Sequence, residues 1–404
     1  MSMKVRALLS FGVVLSAMWL SGCGHYICHT TLGNATCTAS GSGKSTGGGG
    51  NSLSQTAFVY MMDDSVPQMA AEGLDFDNSQ TFAPISSFVS PVFPKTLGVD
   101  GGIAIVDKKF LYMPFQNGSL YGWSIDATTS NLTAVPGSNY ILSGSLSTVV
   151  ADPNGAVLFV GGSAGISAFT INPNDGSLTP VQTYSTGGIV PTQLETDGLG
   201  KYLYALTGST ITAFSYTASG VLTRVTGSPF AFIPSMAQIA SESTGRFLLG
   251  ITAETGGGSG ATDNHIYVIS IASGGGLTTF GSPTATTYFP AYLVVSPSGN
   301  FVYTFNQTYG VLGSTNDPME GFSFSTGTLT ELSGISPFTG LDASFGLFDQ
   351  SGQYIFAIAD VPNSTLTGEF AYGVSTTAGG LTSSLPHAGV ASSSTKAIAV
   401  TDEP

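Results

Sequence analysis

The chain has 404 residues, of which only 8% are charged, and 24 acidic against 10 basic side chains give a formal net charge of -14. That balance counts against phosphate-rich partners such as nucleic acid and anionic lipid surfaces, and so few charges count against an open, disordered chain. The 54 glycines, set among Ser, Thr, Val, Leu and aromatic residues, favour short strands and tight turns over amphipathic helices.

The first element is an address. Lys4 and Arg6 precede an apolar run from Ala7 to Leu20, followed by small residues and Cys23. Basic, then apolar, then small is the order of a secretory signal, and the run of 14 residues falls short of the roughly 20 needed to span a bilayer. The stretch Leu20-Ser21-Gly22-Cys23 resembles the lipobox of bacterial lipoproteins. The resemblance implies a signal peptide over 1–22, acylation of Cys23 as the mature first residue, and a lipid anchor in the cell envelope. Gly24, in place of Asp, implies the outer membrane where the cell has one.

Cys28 and Cys37 follow, in a compartment where disulfides form. A bridge between them and two free thiols both remain open, and neither lies near a nucleophile-base pair. The run CGHYICH lacks the C-x-x-C-H spacing of haem attachment. The next stretch, GSGKSTGGGG, ends like a phosphate-binding loop at Gly43-Lys44-Ser45, but the position of the leading glycine holds Thr38. No apolar strand precedes it, and glycines stand where a helix must begin. Residues 38–52 therefore read as a Gly/Ser tether, spanning roughly 20 Å as a random coil, and 23–52 as a linker segment.

From residue 53 to 404 the sequence repeats. An aromatic-aliphatic strand core recurs seven times, with third positions at Tyr60, Tyr112, Phe159, Tyr204, Leu249, Tyr303 and Phe356, in steps of 45 to 54 residues. Five cores follow a turn, DPNG, DGLG, ESTG, SPSG or DQSG, ending at Gly155, Gly200, Gly245, Gly299 and Gly352, where glycine supplies positive φ. A second alternating strand (LYGWSI, ISAFTI, ITAFSY and their copies) and a third (SLTPV, VLTRV and theirs) come after each core, and one strand precedes each turn. Four antiparallel strands per unit, seven units in all, predict an all-β, seven-bladed β-propeller. The first core has almost no room for its own inner strand, whereas TKAIAVTDEP (395–404) is spare. The C-terminal strand is therefore expected to complete the first blade and close the ring, removing the exposed edges.

The stretch PSGNFVYTFN, with GFSFSTGTLTELSGISPF after it, is similar to the seven-bladed lactonase-like family that includes 6-phosphogluconolactonases and carboxymuconate-lactonising enzymes. That resemblance implies the fold, and for activity it implies His, Arg and Glu around the channel, with Pro-x-His opening the inner strands seven residues before the turn glycine. Here those positions hold Thr148, Gln193, Gln238, Tyr292 and Phe345. None is His, although Pro191 and Pro290 keep the flanking proline. The four histidines are His25, His29, His265 and His387, and Arg224 and Arg246 fall in an outer strand and a turn. No cationic cluster is available for a phosphorylated lactone.

Gln193, Gln238, Tyr292 and Phe345 are instead expected to form a neutral aromatic-amide surface at the channel mouth. Beside them lie the long connections 61–72, 252–265, 304–318 and 357–368. Such a surface suits an uncharged ligand, a glycan, or the edge of an envelope protein. Plugging of the channel by the same side chains is the competing structural explanation. The weak acid-base candidates are Glu195 and Glu242, with Glu254 behind them. Asp63, Asp64, Asp75 and Asp77 lack the D-x-[DN]-x-[DN]-G loop of a calcium site and read as surface carboxylates. The expectation is a monomeric, lipid-anchored binding or scaffold propeller without metal or cofactor, the alternative being a lactone hydrolase with a degenerate site.

Overall fold

The computed structural model describes residues 57–63, 68–75, 81–85, 87–91, 93, 102–232, 234–252, 263–306, 319–333, 342–360, 367–388 and 395–402. Within them the chain forms seven antiparallel sheets and no helix. Each sheet is a four-stranded meander, to which blades 2, 4 and 5 add one short outer strand. The inner strands of blades 2 to 7 are Ala104–Val106, Leu146–Ala151, Gln193–Thr196, Met236–Ser241, Pro290–Val295 and Asp342–Phe348. Blade 1 takes its inner strand from the C-terminus: Thr395–Asp402 pairs antiparallel with Ala57–Asp63, Tyr60 opposite Ala399. The seven inner strands contact one another in cyclic order. The fold is a seven-bladed β-propeller closed by its last strand, as the repeats predict.

The core lies between blades. Leu194, Leu203 and Phe214 of blade 4 pack with Val157, Phe159 and Ala168 of blade 3, and Tyr204 and Leu206 pack with Ile239 and Leu248 of blade 5. Burial on both faces explains why the core strands read as continuous aromatic-aliphatic runs. A polar latch accompanies this packing. The hydroxyls of Tyr60, Tyr112 and Tyr303 donate to the carbonyls of Ser130, Gly176 and Gly379, each in the next blade. Gly176 is required twice over: its φ is +73°, and a Cβ there would lie 2.5 Å from the Phe110 ring.

The turn between the first two strands of a blade is held by its first residue. Asp152 accepts from the amides of Ala156 and Val157, Asp197 from Lys201 and Tyr202, and Asp349 from Tyr354. These are the leading residues of the DPNG, DGLG and DQSG turns, whose carboxylates satisfy amides that the hairpin leaves unpaired.

Two of the four long connections are shorter than expected. Strands run through Asp63 and resume at Gln68, and run through Asp360 and resume at Thr367, so most of 61–72 and half of 357–368 is sheet. Residues 253–262 and 307–318, in the other two, lie outside the described residues. So do the N-terminal leader, Cys23, Cys28, Cys37, the tether, Asp64, Asp77 and Glu254.

Candidate active site in the axial cavity

A cavity of about 340 Å³ opens where the inner strands of blades 2, 3 and 4 end. Its wall is built from Val106 and Asp107, from Ala151 and Asp152, from Glu195 and Thr196, and from Gln350 in the turn of blade 7. Among the described residues the lining holds three carboxylates and no Lys or Arg.

Glu195 sits one position before the end of its inner strand. Its Oε1 accepts from the Ser241 amide at 2.9 Å and from the Ser241 hydroxyl at 2.8 Å, both in blade 5. Desolvation by the surrounding blades pushes the carboxyl up to about 7, and the two bonds from Ser241 pull it only partly back. A carboxyl beside a cavity that changes charge near neutrality is poised for general acid-base chemistry.

Glu242, the other acid-base candidate, is a turn cap. It is buried, and its carboxylate accepts from the amides of Thr244, Arg246 and Phe247 and from the Thr244 hydroxyl. This is the same structural task that Asp197 and Asp152 perform one and two blades earlier.

The expected ligand-facing surface is corrected at three of its four positions. Gln193 is fully buried and clamps blade 4 to blade 5: Nε2 donates to the Ile239 carbonyl at 2.6 Å, and Oε1 accepts from the Ile239 amide at 2.9 Å. Gln238 repeats the clamp on Leu293, at 2.9 and 2.7 Å. Side chains of an inner strand point toward the neighbouring sheets, because the strand's own edge faces the axis. An amide there satisfies both groups of the next strand's open edge. Tyr292 is buried against Phe305, with ring centroids 6.4 Å apart. Phe345 pairs with Ile358 through its backbone, and its side chain lies outside the described residues. The cavity, moreover, lies at the far end of the inner strands from the expected mouth.

A second polar group occupies the face where inner strands begin. Glu320, buried in blade 6, accepts from the amides of Thr287 and Tyr288 at 2.7 and 3.2 Å and from Asn306 Nδ2 at 3.2 Å. Burial raises its carboxyl above the ordinary range. Beside it in blade 5, Asp263 accepts from the Tyr267 hydroxyl at 2.5 Å and lies 2.6 Å from His265 Nδ1. The Glu320 bonds fix the segment leading into the inner strand of blade 6, and of these side chains only His265 was singled out from sequence. Arg224 is exposed in its outer strand, and Arg246 lies 5.4 Å from the Phe247 ring centroid. Among the described residues no cluster of His, Cys, Asp and Glu is arranged to hold a metal ion.

Residues 127–231 match the family model described as "Lactonase, 7-bladed beta-propeller". The match runs from the third turn of blade 2 through blade 4 and includes Glu195. Among solved structures, a protein from Lactobacillus plantarum superposes with a TM-score of 0.62 at 15% identity, covering 86% of this chain and 99% of that one. A protein from Bacteroides uniformis, named a "putative 6-phosphogluconolactonase", gives 0.60 at 16% identity, covering 86% of this chain and 99% of that one. A protein from Bacteroides fragilis of the same name gives 0.60 at 15%, covering 87% and 99%. No curated protein matches the sequence significantly. At such identities the structural likeness establishes the fold alone, a seven-bladed β-propeller, with a lactonase-type signature across its second to fourth blades.

Proposed function

We propose that this propeller hydrolyses an uncharged lactone in its axial cavity, with Glu195 as the proton-transferring group. The observation that carries the reading is the carboxyl itself, held at the cavity wall with its pKa near neutrality by burial. The lactonase signature over 127–231 supports the substrate class. Asp107, Asp152 and Glu195, without a lining cation, oppose a phosphorylated substrate and admit a neutral one. Hydrolysis of a panel of neutral lactones and of 6-phosphogluconolactone, compared with the spontaneous rates, tests the reading. It predicts acceleration of a neutral lactone, and at least a 100-fold loss in Glu195→Gln.

The second reading is a binding or scaffold module for an uncharged ligand such as a glycan, or for an envelope protein. The absence of any lining Lys or Arg to stabilise an oxyanion favours it. In either reading, the lipobox resemblance at Leu20-Ser21-Gly22-Cys23 supports a ring tethered to the cell envelope through a lipid on Cys23.

A further inference from the structure

Two residues apart on one strand, Gln193 and Glu195 face the same neighbouring blade and do different things. Gln193 closes a complete clamp, accepting from the amide of Ile239 and donating to its carbonyl. Glu195 instead accepts both the amide and the hydroxyl of Ser241 on a single oxygen, Oε1. Its second oxygen belongs to neither bond, and the residue forms part of the cavity wall. If clamping were its whole task, an amide would serve as at Gln193. The carboxyl is the departure from the pattern, and it is aligned on a serine hydroxyl.

We infer that Ser241, which is not itself a wall residue but is hydrogen-bonded to Glu195 in the cavity wall, is a nucleophile and Glu195 its base, a Ser-Glu dyad assembled across the boundary of blades 4 and 5. The separation of 2.8 Å between Ser241 Oγ and Glu195 Oε1 is within the reach required of a nucleophile and its base. The Ser241 amide, bound to the same oxygen, fixes the angle at which the hydroxyl is presented. Ser241 is only partly buried. The other buried carboxylates described at this end, Asp152, Asp197, Glu242 and Asp349, are engaged by turn amides and have no comparable hydroxyl on an inner strand.

The inference rests on the lactonase reading of the same cavity and supplies its covalent step. Ser241 Oγ attacks the lactone carbonyl carbon while its proton passes to Glu195. The ring C–O bond then breaks, and the departing alkoxide takes that proton, leaving an acyl-serine. Water attacks the acyl carbon, giving one proton to Glu195, which returns it to Ser241 Oγ as the acyl-oxygen bond breaks. The products are the hydroxy acid and the starting enzyme.

The experiment uses the full chain and an alkyl fluorophosphonate, with peptide mass spectrometry as readout and circular dichroism as the check on folding. The expected result is a phosphonyl adduct on Ser241, absent in Ser241→Ala and at least 10-fold slower to form in Glu195→Gln. Failure of the folded wild-type chain to label at Ser241 overturns the nucleophile. So does a folded Ser241→Ala chain that hydrolyses a neutral lactone at the wild-type rate, and in that case water attacks directly and the Glu195 reading survives. Labelling of Ser241 without turnover of any lactone supports the dyad and counts against the lactone substrate, so the two ideas fail separately.

Discussion

Glu195 carries a proton at a pH where an ordinary glutamate has lost it, and the difference is measurable as stability. Its folded pKa of about 7 lies above its ordinary value of 4.5. Below the ordinary value the group is protonated in both states and its contribution is fully present. Between the two values only the folded chain holds the proton, so stability falls as pH rises from about 4.5 to about 7 and then levels. The shift corresponds to about 3 kcal/mol at most. Thermal or urea unfolding across that range should show the decline in the wild type and a flatter profile in Glu195→Gln, whose amide still accepts from the Ser241 amide. Equal slopes in the two proteins would mean that Glu195 titrates normally.

At the scale of the element, ring closure depends on one strand. Thr395–Asp402 supplies the inner strand of blade 1, and its Ala399 and Val400 are buried between blades. Without it, Ala57–Asp63 would present an open edge to the channel. Deletion of 395–404 should lower the melting temperature by about 10 °C or more, and an unchanged melt would contradict the closure. This closure was legible in the sequence because a spare strand at one end matched a missing one at the other. The blades were legible too, since five of the turns lead with an Asp, Glu or Ser and end on glycine at a near-constant period. The clamps were not. Gln193 meets Ile239, 46 positions away, and its partners are backbone groups that carry no sequence signature. Glu195 was visible as a candidate, but its burial and its contact with Ser241 arise from packing of the next blade. The connections at 61–72 and 357–368 were read as longer than they are because the strands extend beyond the aromatic-aliphatic cores, through Met61, Met62 and Asp63 on one side and from Thr367 on the other.

On the scale of the whole molecule, the described ring surrounds a small acidic cavity, and under the proposal a lipid on Cys23 sets where that cavity works. The proposal of a lipid-anchored propeller predicts incorporation of radiolabelled palmitate into the wild-type protein in bacterial cells and its loss in Cys23→Ser. Equal labelling of both would exclude Cys23 as the anchor. The central claim concerns chemistry, and it is tested most directly by the rate of neutral-lactone hydrolysis as a function of pH. If ionised Glu195 is the base, kcat/KM rises with pH through about 7 and then levels, with Glu195→Gln depressed at every pH. A rate indistinguishable from spontaneous hydrolysis across the panel would contradict the account and leave the propeller as a binding module.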